Sequence, residues 1–326
     1  MKKTWSLVIF VISSLLLMAF VAFVAINFGS IKDIIVGLSY HPSAEMVEVR
    51  DSLGLTSKGT RIFNATLPEL KGKDEFNQIC RDTENENAIL GCYRGDRVYV
   101  YDILSDELIG VREATAAHEL LHAVYHRMSA DEKREIRDAL ISVYQKNQET
   151  LGEEIDIYEE DKKEEELYVR AGTEIADLPE VLERHFASIF ENQDLIAEYY
   201  QGYIKVFREI EQKLEELLAK VQTLDANITA KTAQYGADVA SLNADIAEFN
   251  NCAKTANCFT STRVFNTRRA ELVSRSESLS ALYNEISGMV LEYNNLVTEY
   301  NENLLHGQAL NMTINSAATV EVSQPE

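Results

Sequence analysis

Two histidines stand four residues apart within residues 115–124, and a glutamate directly follows the first of them. In an α-helix, residues i and i+4 lie one turn apart on the same face, so the rings of His118 and His122 converge on one point. Glu119 then lies beside that point. The spacing predicts a helix that binds a divalent metal ion through two imidazoles, with a carboxylate placed to accept a proton from an activated water molecule.

The residues around the two histidines favour a buried helix. Uncharged residues occupy the flanking and interior positions: Thr115, Ala116, Leu120, Leu121, Ala123 and Val124. A surface helix carries more charge, whereas a helix whose one polar face opens into a cleft has this composition. The alternative is a helix whose histidines are merely packed or solvated, because so short a motif also occurs by chance.

A metal site of this kind needs a third protein ligand. His126 is unsuitable, because it lies about 12 Å from His118 along a continuous helix. We expect His126 to be a partly exposed cation at the helix end. The metzincin pattern is excluded as well, since Met128 stands where that pattern requires its third histidine.

A carboxylate on a later helix remains, and residues 164–174 contain the candidates. We expect Glu166 to be the ligand, since the apolar residues 167–169 that follow it can anchor its helix against the first one. Glu174 is the second choice. For either residue the alternative is an ordinary solvated charge, because the stretch before Glu166 is strongly acidic.

With these residues the chain resembles the gluzincin class of zinc metallopeptidases, with residues 118–122 as the metal helix and Glu166 in the place of the downstream glutamate. More narrowly, it resembles a group of bacterial membrane-anchored proteins that combine segments like 110–122 and 172–179 with a C-terminal coiled-coil region. The resemblance implies a peptidase fold and Zn²⁺ as cofactor, but no particular substrate. The chain departs from the class at Arg170, which stands where the better-known gluzincins have an aspartate.

The N-terminal residues predict the compartment. Lys2 and Lys3 precede an uncharged stretch, residues 5–30, that is long enough to cross a bilayer as a helix. We therefore expect residues 1–30 to be a transmembrane anchor in the cell membrane, with a cytoplasmic N-terminus and all later residues outside the cytoplasm. A cleaved signal peptide is the alternative, although the apolar region of such a peptide is shorter, about 7–15 residues.

The four cysteines form two local pairs, Cys80 with Cys92 and Cys252 with Cys258. Each pair encloses a short loop, and neither has the C-x-x-C spacing of a metal or redox site. The pairs therefore predict two disulfide bonds, which agree with an oxidising compartment.

The chain of 326 residues has a formal net charge of −22. This charge repels nucleic acid, which we exclude as a partner. The expected partners are a peptide or protein substrate, the membrane, and a protein that binds the C-terminal helices.

Residues 31–194 are predicted to form a small α+β domain of the zincin type, with a short antiparallel sheet and several helices. The expected elements before the metal helix are a helix over 43–53, a strand over 61–66, and a hairpin with strands over 88–93 and 97–103. In the class that the chain resembles, the edge strand before the metal helix pairs with the substrate. The strand over 97–103 has that place in the sequence, and a purely structural strand is the alternative.

After the metal helix, Ser129 and Glu132 form a capping-box pattern that predicts a second helix to about Gln148. An acidic stretch, 149–165, follows and is expected to be mobile or helical at the surface. A further helix is expected over 180–192. We interpret His185 within it as a packed or surface residue, with a role as a hydrogen-bond donor at the reacting group as the alternative.

Two long runs, 203–249 and 265–300, repeat apolar residues at the three-and-four spacing of a coiled coil. They predict an antiparallel helical hairpin over 195–304, tipped by the Cys252–Cys258 loop. Residues 305–326 are small and polar, which predicts a disordered tail.

Two functions from different classes agree with the sequence. The first is a membrane-anchored extracytoplasmic zinc metallopeptidase, in which His118, His122 and Glu166 bind the ion. Glu119 is then the general base. The second is a non-catalytic envelope protein whose hairpin binds a partner or acts as a spacer. The motif favours the first, because a structural zinc site does not need Glu119 and is usually closed by a fourth protein ligand.

Overall fold

The structure, a computed structural model, describes residues 15–22, 24, 28–80 and 89–316. The chain divides into two compact units. The first extends to Val206 and takes in the chain again from Leu310, and the second comprises Phe207–Ala309. The boundary lies at Val206 rather than at residue 194, because Ile196 and Ala197 are buried in the first unit.

The first unit is mostly helical and contains a small sheet. Its helices are α1 (Phe28–Leu38), α2 (Ala44–Ser52), α3 (Ser57–Ala65), α4 (Lys73–Cys80), α5 (Val111–Arg127), α6 (Ala130–Lys146), α7 (Gln148–Asp156), α8 (Glu160–Glu174) and α9 (Glu180–Phe186). Its strands are β1 (Glu69–Lys71), β2 (Gly91–Arg94) and β3 (Arg97–Tyr101). The helix predicted over 43–53 is confirmed as α2. The capping box at Ser129 and Glu132 is present and begins α6.

The strand predicted over residues 61–66 is wrong, because these residues belong to α3. Thr56 caps this helix by accepting a hydrogen bond from the backbone N–H of Gly59 at 3.1 Å. Ile62 and Phe63 are buried on the helix face that packs into the core. The β-branched and aromatic residues that favour a strand are therefore placed in a helix by its cap and its packing.

The sheet is mixed rather than antiparallel, with the strand order β1-β3-β2. β1 runs parallel to β3, and β2 runs antiparallel to it. A two-residue turn joins β2 to β3, and both of its residues, Gly95 and Asp96, have positive φ values, as a tight hairpin requires. β3 is thus the central strand, so of the two interpretations of residues 97–103 the structure supports the purely structural strand and not the substrate-binding edge.

The helix α5 lies at the centre of the first unit. Five of its residues have no solvent exposure: Ala116, Ala117, Leu120, Leu121 and Ala123. It packs against α8, against β2 and β3, and against α2. The uncharged composition of residues 115–124 is the one that this packing requires.

The second unit is an antiparallel helical hairpin, as predicted. Its helices belong to α10 (Gln193–Lys254) and α11 (Thr262–Ile314). Ion pairs join them in antiparallel order: Lys213 with Glu299 at 2.7 Å, Lys231 with Glu285 at 2.9 Å, and Arg275 with Asp245. Both predicted disulfides are present, Cys252–Cys258 at the hairpin tip and Cys80–Cys92 between α4 and β2.

The prediction of a disordered tail over 305–326 is wrong for residues 305–316. α11 continues to Ile314, Leu310 is buried, and the hydroxyl of Ser316 donates to the carbonyl of Ile89 at 3.4 Å. This tertiary packing orders a segment whose small polar composition favours disorder. Residues 317–326 lie outside the described residues.

The predicted transmembrane anchor, residues 1–30, falls largely outside the described residues. In the part of the chain that the structure describes, no helix combines the length and the apolar character needed to cross a membrane.

Candidate metal centre

The helix α5 presents His118, Glu119 and His122 together, as the spacing predicted. The two imidazole rings lie 5.1 Å apart between their centroids. The side chains of His118 and His122 retain 23% and 19% of their exposure, whereas Glu119 is buried. The histidines therefore line a surface that solvent reaches, with Glu119 behind them.

The helix α8 brings Glu166 opposite the two histidines. One carboxylate oxygen, Oε1, lies 3.8 Å from Nε2 of His118, and the other lies 3.6 Å from Nε2 of His122. The three ligand atoms lie within 4.8 Å of one another. Tetrahedral zinc holds its ligand atoms about 3.3 Å apart, so a small adjustment closes this group around an ion. Two imidazoles and a carboxylate are also a donor set of catalytic zinc sites.

A glycine allows α8 to approach α5 so closely. A Cβ atom at Gly172 would lie 2.5 Å from Cδ1 of Leu121 and 2.6 Å from the ring of Phe186. Because carbon atoms in contact are about 3.5–4.0 Å apart, any side chain here would push the two helices apart. Gly172 therefore sets the distance across which Glu166 meets the histidines.

The carboxylate of Glu165 holds the ring of His122. Its Oε1 atom lies 2.7 Å from Nδ1 of His122 and 3.1 Å from Nε2 of His126. With Nδ1 bonded in this way, Nε2 of His122 faces Glu166, as a metal ligand must. This contact with His122 was not predicted from the sequence, where Glu165 belongs to a strongly acidic run that favours a solvated charge.

Glu174, the second-choice ligand, is not a member of the group. It pairs with Arg170, whose Nη1 donates to it at 3.1 Å, and whose Nε donates to Glu166 at 2.9 Å. Arg170 thus stands between two buried carboxylates. Arg170 places a cation beside the carboxylate of Glu166, while Glu165 supplies the partner of His122.

Glu119 lies directly against the strand β2. A Cβ atom at Gly91 would lie 2.7 Å from both Cγ and Oε1 of Glu119, and equally close to Cγ2 of Thr115. Only glycine therefore leaves room for this carboxylate. The backbone N–H of Tyr93 donates a hydrogen bond to the carboxylate of Glu119. The strand β2 therefore leaves space for Glu119 at Gly91 and bonds to it at Tyr93.

The surroundings of Glu119 raise its pKa to about 7. Burial is the largest cause, and the charge of Glu166 adds to it, whereas His122 and the N–H of Tyr93 act in the opposite direction. A carboxyl group with this pKa exchanges a proton readily at neutral pH, which is the property of a general base.

The pKa values of the two histidines are shifted in opposite directions. Burial, together with the charges of His122 and Arg170, lowers the pKa of His118 well below its usual value, so its ring is neutral and can bind a metal ion. Burial also disfavours the charged form of His122. The hydrogen bond to Glu165 and the charges of Glu119 and Glu166 outweigh burial and raise the pKa of His122.

Among the strands that the structure describes, β2 forms the outer edge of the sheet beside α5. The N–H of Tyr101 donates to the carbonyl of Leu90, and in an antiparallel pair the bonded residues alternate. Gly91 and Tyr93 therefore direct their backbone N–H and C=O groups away from β3. The N–H of Tyr93 reaches Glu119 in this direction, so the edge faces the candidate metal centre.

His185 is a packed residue, as the favoured interpretation had it. Its Nε2 atom lies 2.9 Å from the hydroxyl of Tyr168, and its ring contacts those of Tyr168 and Phe186. It is not a member of the ligand group. His126 is 55% exposed beside Glu165, and it too lies outside that group.

Comparisons of the chain with protein-family models, with curated proteins and with solved structures give no match. The arrangement of His118, Glu119, His122 and Glu166 is therefore the basis of the functional argument.

Proposed function

We propose that this chain is a zinc-dependent peptidase, held at a membrane by its N-terminal residues with the metal centre outside the cytoplasm. The observation that carries the proposal is the convergence of His118, His122 and Glu166 beside the buried carboxylate of Glu119. Residues on two separate helices supply the ligands, and the general base is present in addition to them. A purely structural site has no need of that base.

Each residue of the site has a defined task in this reaction. His118, His122 and Glu166 hold the ion, which polarises a peptide carbonyl and activates a water molecule when it is bound. Glu119 accepts a proton from the water and passes it to the nitrogen of the departing amine. Glu165 orients His122, and Arg170 orients Glu166.

The edge of β2 is the natural place for an extended substrate. Gly91 directs its backbone N–H and C=O groups, and Tyr93 its C=O group, away from β3, so a peptide can add to this edge as a further strand. Main-chain hydrogen bonds bind many sequences with little preference. The substrate-binding strand is thus β2 and not β3, which lies inside the sheet.

The described part of the predicted anchor supports a membrane location. Residues 15–22 are helical. Their large apolar side chains are exposed: Leu15, Leu16, Leu17, Met18, Phe20 and Val21. A helix that is apolar on every side is stable where lipid surrounds it.

Zinc content and peptide cleavage, measured on the same variants, test the proposal. The purified chain should contain about one zinc ion per molecule, and Glu166→Ala should lose it while Glu174→Ala keeps it. Glu119→Gln should keep zinc but cleave peptides about 10²–10⁴-fold more slowly. Equal cleavage by Glu119→Gln and the wild type, or equal zinc loss in both alanine variants, would contradict the proposal.

The second candidate function, a non-catalytic role in partner binding or spacing, rests on the hairpin of α10 and α11. Its tip is closed by the Cys252–Cys258 disulfide and filled by Phe249, Phe259 and Phe265, whose ring centroids lie 5.1–5.2 Å apart. A rigid tip of this kind suits docking or spacing. A chain that binds no zinc would leave this as the better explanation.

A further inference from the structure

The helix α1 exposes an apolar face that no described residue covers. Its large side chains Phe28, Ile34, Ile35 and Leu38 have relative exposures between 49% and 79%. Together with the half-buried Ile31 they occupy about 120° of the helix circumference, at 100° per residue. Asp33 and Gly37 lie on the opposite side, where α1 packs on the rest of the unit.

The two charged residues of α1 both form ion pairs with other elements of the first unit. The ammonium group of Lys32 pairs with Asp96 at 2.9 Å, and the buried carboxylate of Asp33 pairs with Arg127 at 3.1 Å. The apolar face itself therefore carries no charge. A surface without charge can enter a lipid environment, where an unpaired charge is costly.

We propose that this face of α1 lies in the lipid headgroup boundary of a bilayer. The uncharged stretch of residues 5–30 includes the first turn of α1, so the apolar face continues the predicted membrane-spanning segment. A helix that follows a membrane-spanning segment and has one uncharged apolar face lies along the bilayer surface with that face buried. The occupant of the face is thus lipid rather than a second protein.

This position brings the metal centre close to the membrane. Asp33 forms an ion pair with Arg127, which is the last residue of α5 and lies about 7.5 Å along the helix from His122. Lys32 forms an ion pair with Asp96 in the turn that follows β2. α1 therefore forms ion pairs both with the metal helix and with the turn after the substrate-binding strand.

The substrate class follows from these ion pairs, and this step rests on the proposed function. A metal helix that is paired directly with a helix at the bilayer surface lies beside peptide segments that have just left the membrane. Peptides that remain tethered to the same bilayer are also concentrated near the site, whereas free peptides are not. We infer that the substrates are membrane-proximal segments of membrane-anchored proteins.

Fluorescent labelling of the full chain tests the lipid contact without reference to activity. Each of Ile35→Cys, Leu38→Cys and the control Ile157→Cys, which is exposed on the first unit, receives an environment-sensitive probe after reconstitution in phosphatidylethanolamine–phosphatidylglycerol nanodiscs. Probes at 35 and 38 should shift to shorter wavelength and be quenched by spin-labelled lipid, whereas the probe at 157 should do neither. The lipid contact would be overturned if the probes at 35 and 38 emitted at the wavelength of a water-exposed dye. It would also be overturned if the shift appeared only at high protein concentration, as for a contact between two copies of the chain.

A second measurement tests the substrate class. In Ile35→Glu/Leu38→Glu, zinc content and cleavage of a free quenched-fluorescent peptide mixture should remain at the wild-type level. Cleavage of the same peptides coupled to lipid in that bilayer should fall at least tenfold. Equal rates on free and lipid-coupled peptides in the wild type would overturn this substrate class. A wild type that cleaves neither peptide would refute the peptidase proposal, while the labelling result stands by itself.

Discussion

The carboxylate of Glu165 lies 2.7 Å from Nδ1 of His122, so the residue next to Glu166 orients His122. A single turn of α8 thus supplies both a candidate ligand and the support of another candidate ligand. Arg170, one turn further along α8, pairs with Glu166. The carboxylate on Nδ1 of His122 leaves the lone pair of its Nε2 atom free for a metal ion.

Replacement of Glu165 by glutamine should weaken zinc binding by about 10–100-fold, because the ring of His122 loses a charged partner. Competition with a chromophoric chelator measures the affinity. Glu164→Gln is the matched control, since Glu164 precedes it in the same turn but binds Arg137 instead. Equal affinities for both variants would show that the contact with His122 does not support the metal site.

Replacement of Gly91 by alanine should displace Glu119, because the new Cβ atom would lie 2.7 Å from its carboxylate oxygen. We expect zinc to remain bound while peptide cleavage falls about 100-fold, as the base leaves its place. Gly72→Ala is the control, since a Cβ atom there meets nothing within 4 Å. Wild-type cleavage by Gly91→Ala would contradict the placement of Glu119.

The sequence predicted those parts of the site that depend on local geometry. The spacing of His118 and His122 determines their place on one helix face, and the helix keeps that spacing wherever it packs. Glu166 could be selected because apolar residues follow it and bring its side of α8 to the core. The disulfides and the hairpin likewise depend on short or periodic patterns.

Other features depend on contacts between distant segments, which leave no local signal. Glu165 differs from its acidic neighbours only in facing His122 across two helices. Gly91 has no positive φ value, so the need for glycine at this position arises from its contacts with Glu119 and Thr115 of α5. The order of the strands, with β3 between β1 and β2, follows from the parallel pairing of β1, a strand of three residues that the sequence did not distinguish.

The stability of the first unit should decrease with acidification because of His185. Burial, with the charge of Lys58 adding to it, lowers the pKa of His185 to about 4, whereas an unfolded histidine titrates near 6.5. Between these values the unfolded chain binds more protons, so the stabilising contribution is complete above pH 6.5 and is lost as the pH falls toward 4. The loss is on the order of 2 kcal/mol for this partly exposed ring.

Urea unfolding at pH 7, 5.5 and 4 measures this contribution. His185→Gln keeps a hydrogen-bonding group for Tyr168 but does not titrate. Its free energy of unfolding should therefore fall less than that of the wild type as the pH falls. Parallel curves for the two proteins would show that His185 is not the group responsible.

Two adjacent leucines of α10 should differ sharply in their importance for the hairpin. Leu217 is 1% exposed and Leu218 is 44% exposed. Leu217→Ala removes a buried side chain from between the helices and should destabilise the hairpin by about 2–4 kcal/mol. Leu218→Ala should change the stability by less than about 0.5 kcal/mol. Hydrogen exchange of the amides in α10 and α11 measures both effects within the hairpin itself, and equal protection in the two variants would contradict the predicted coiled-coil seam.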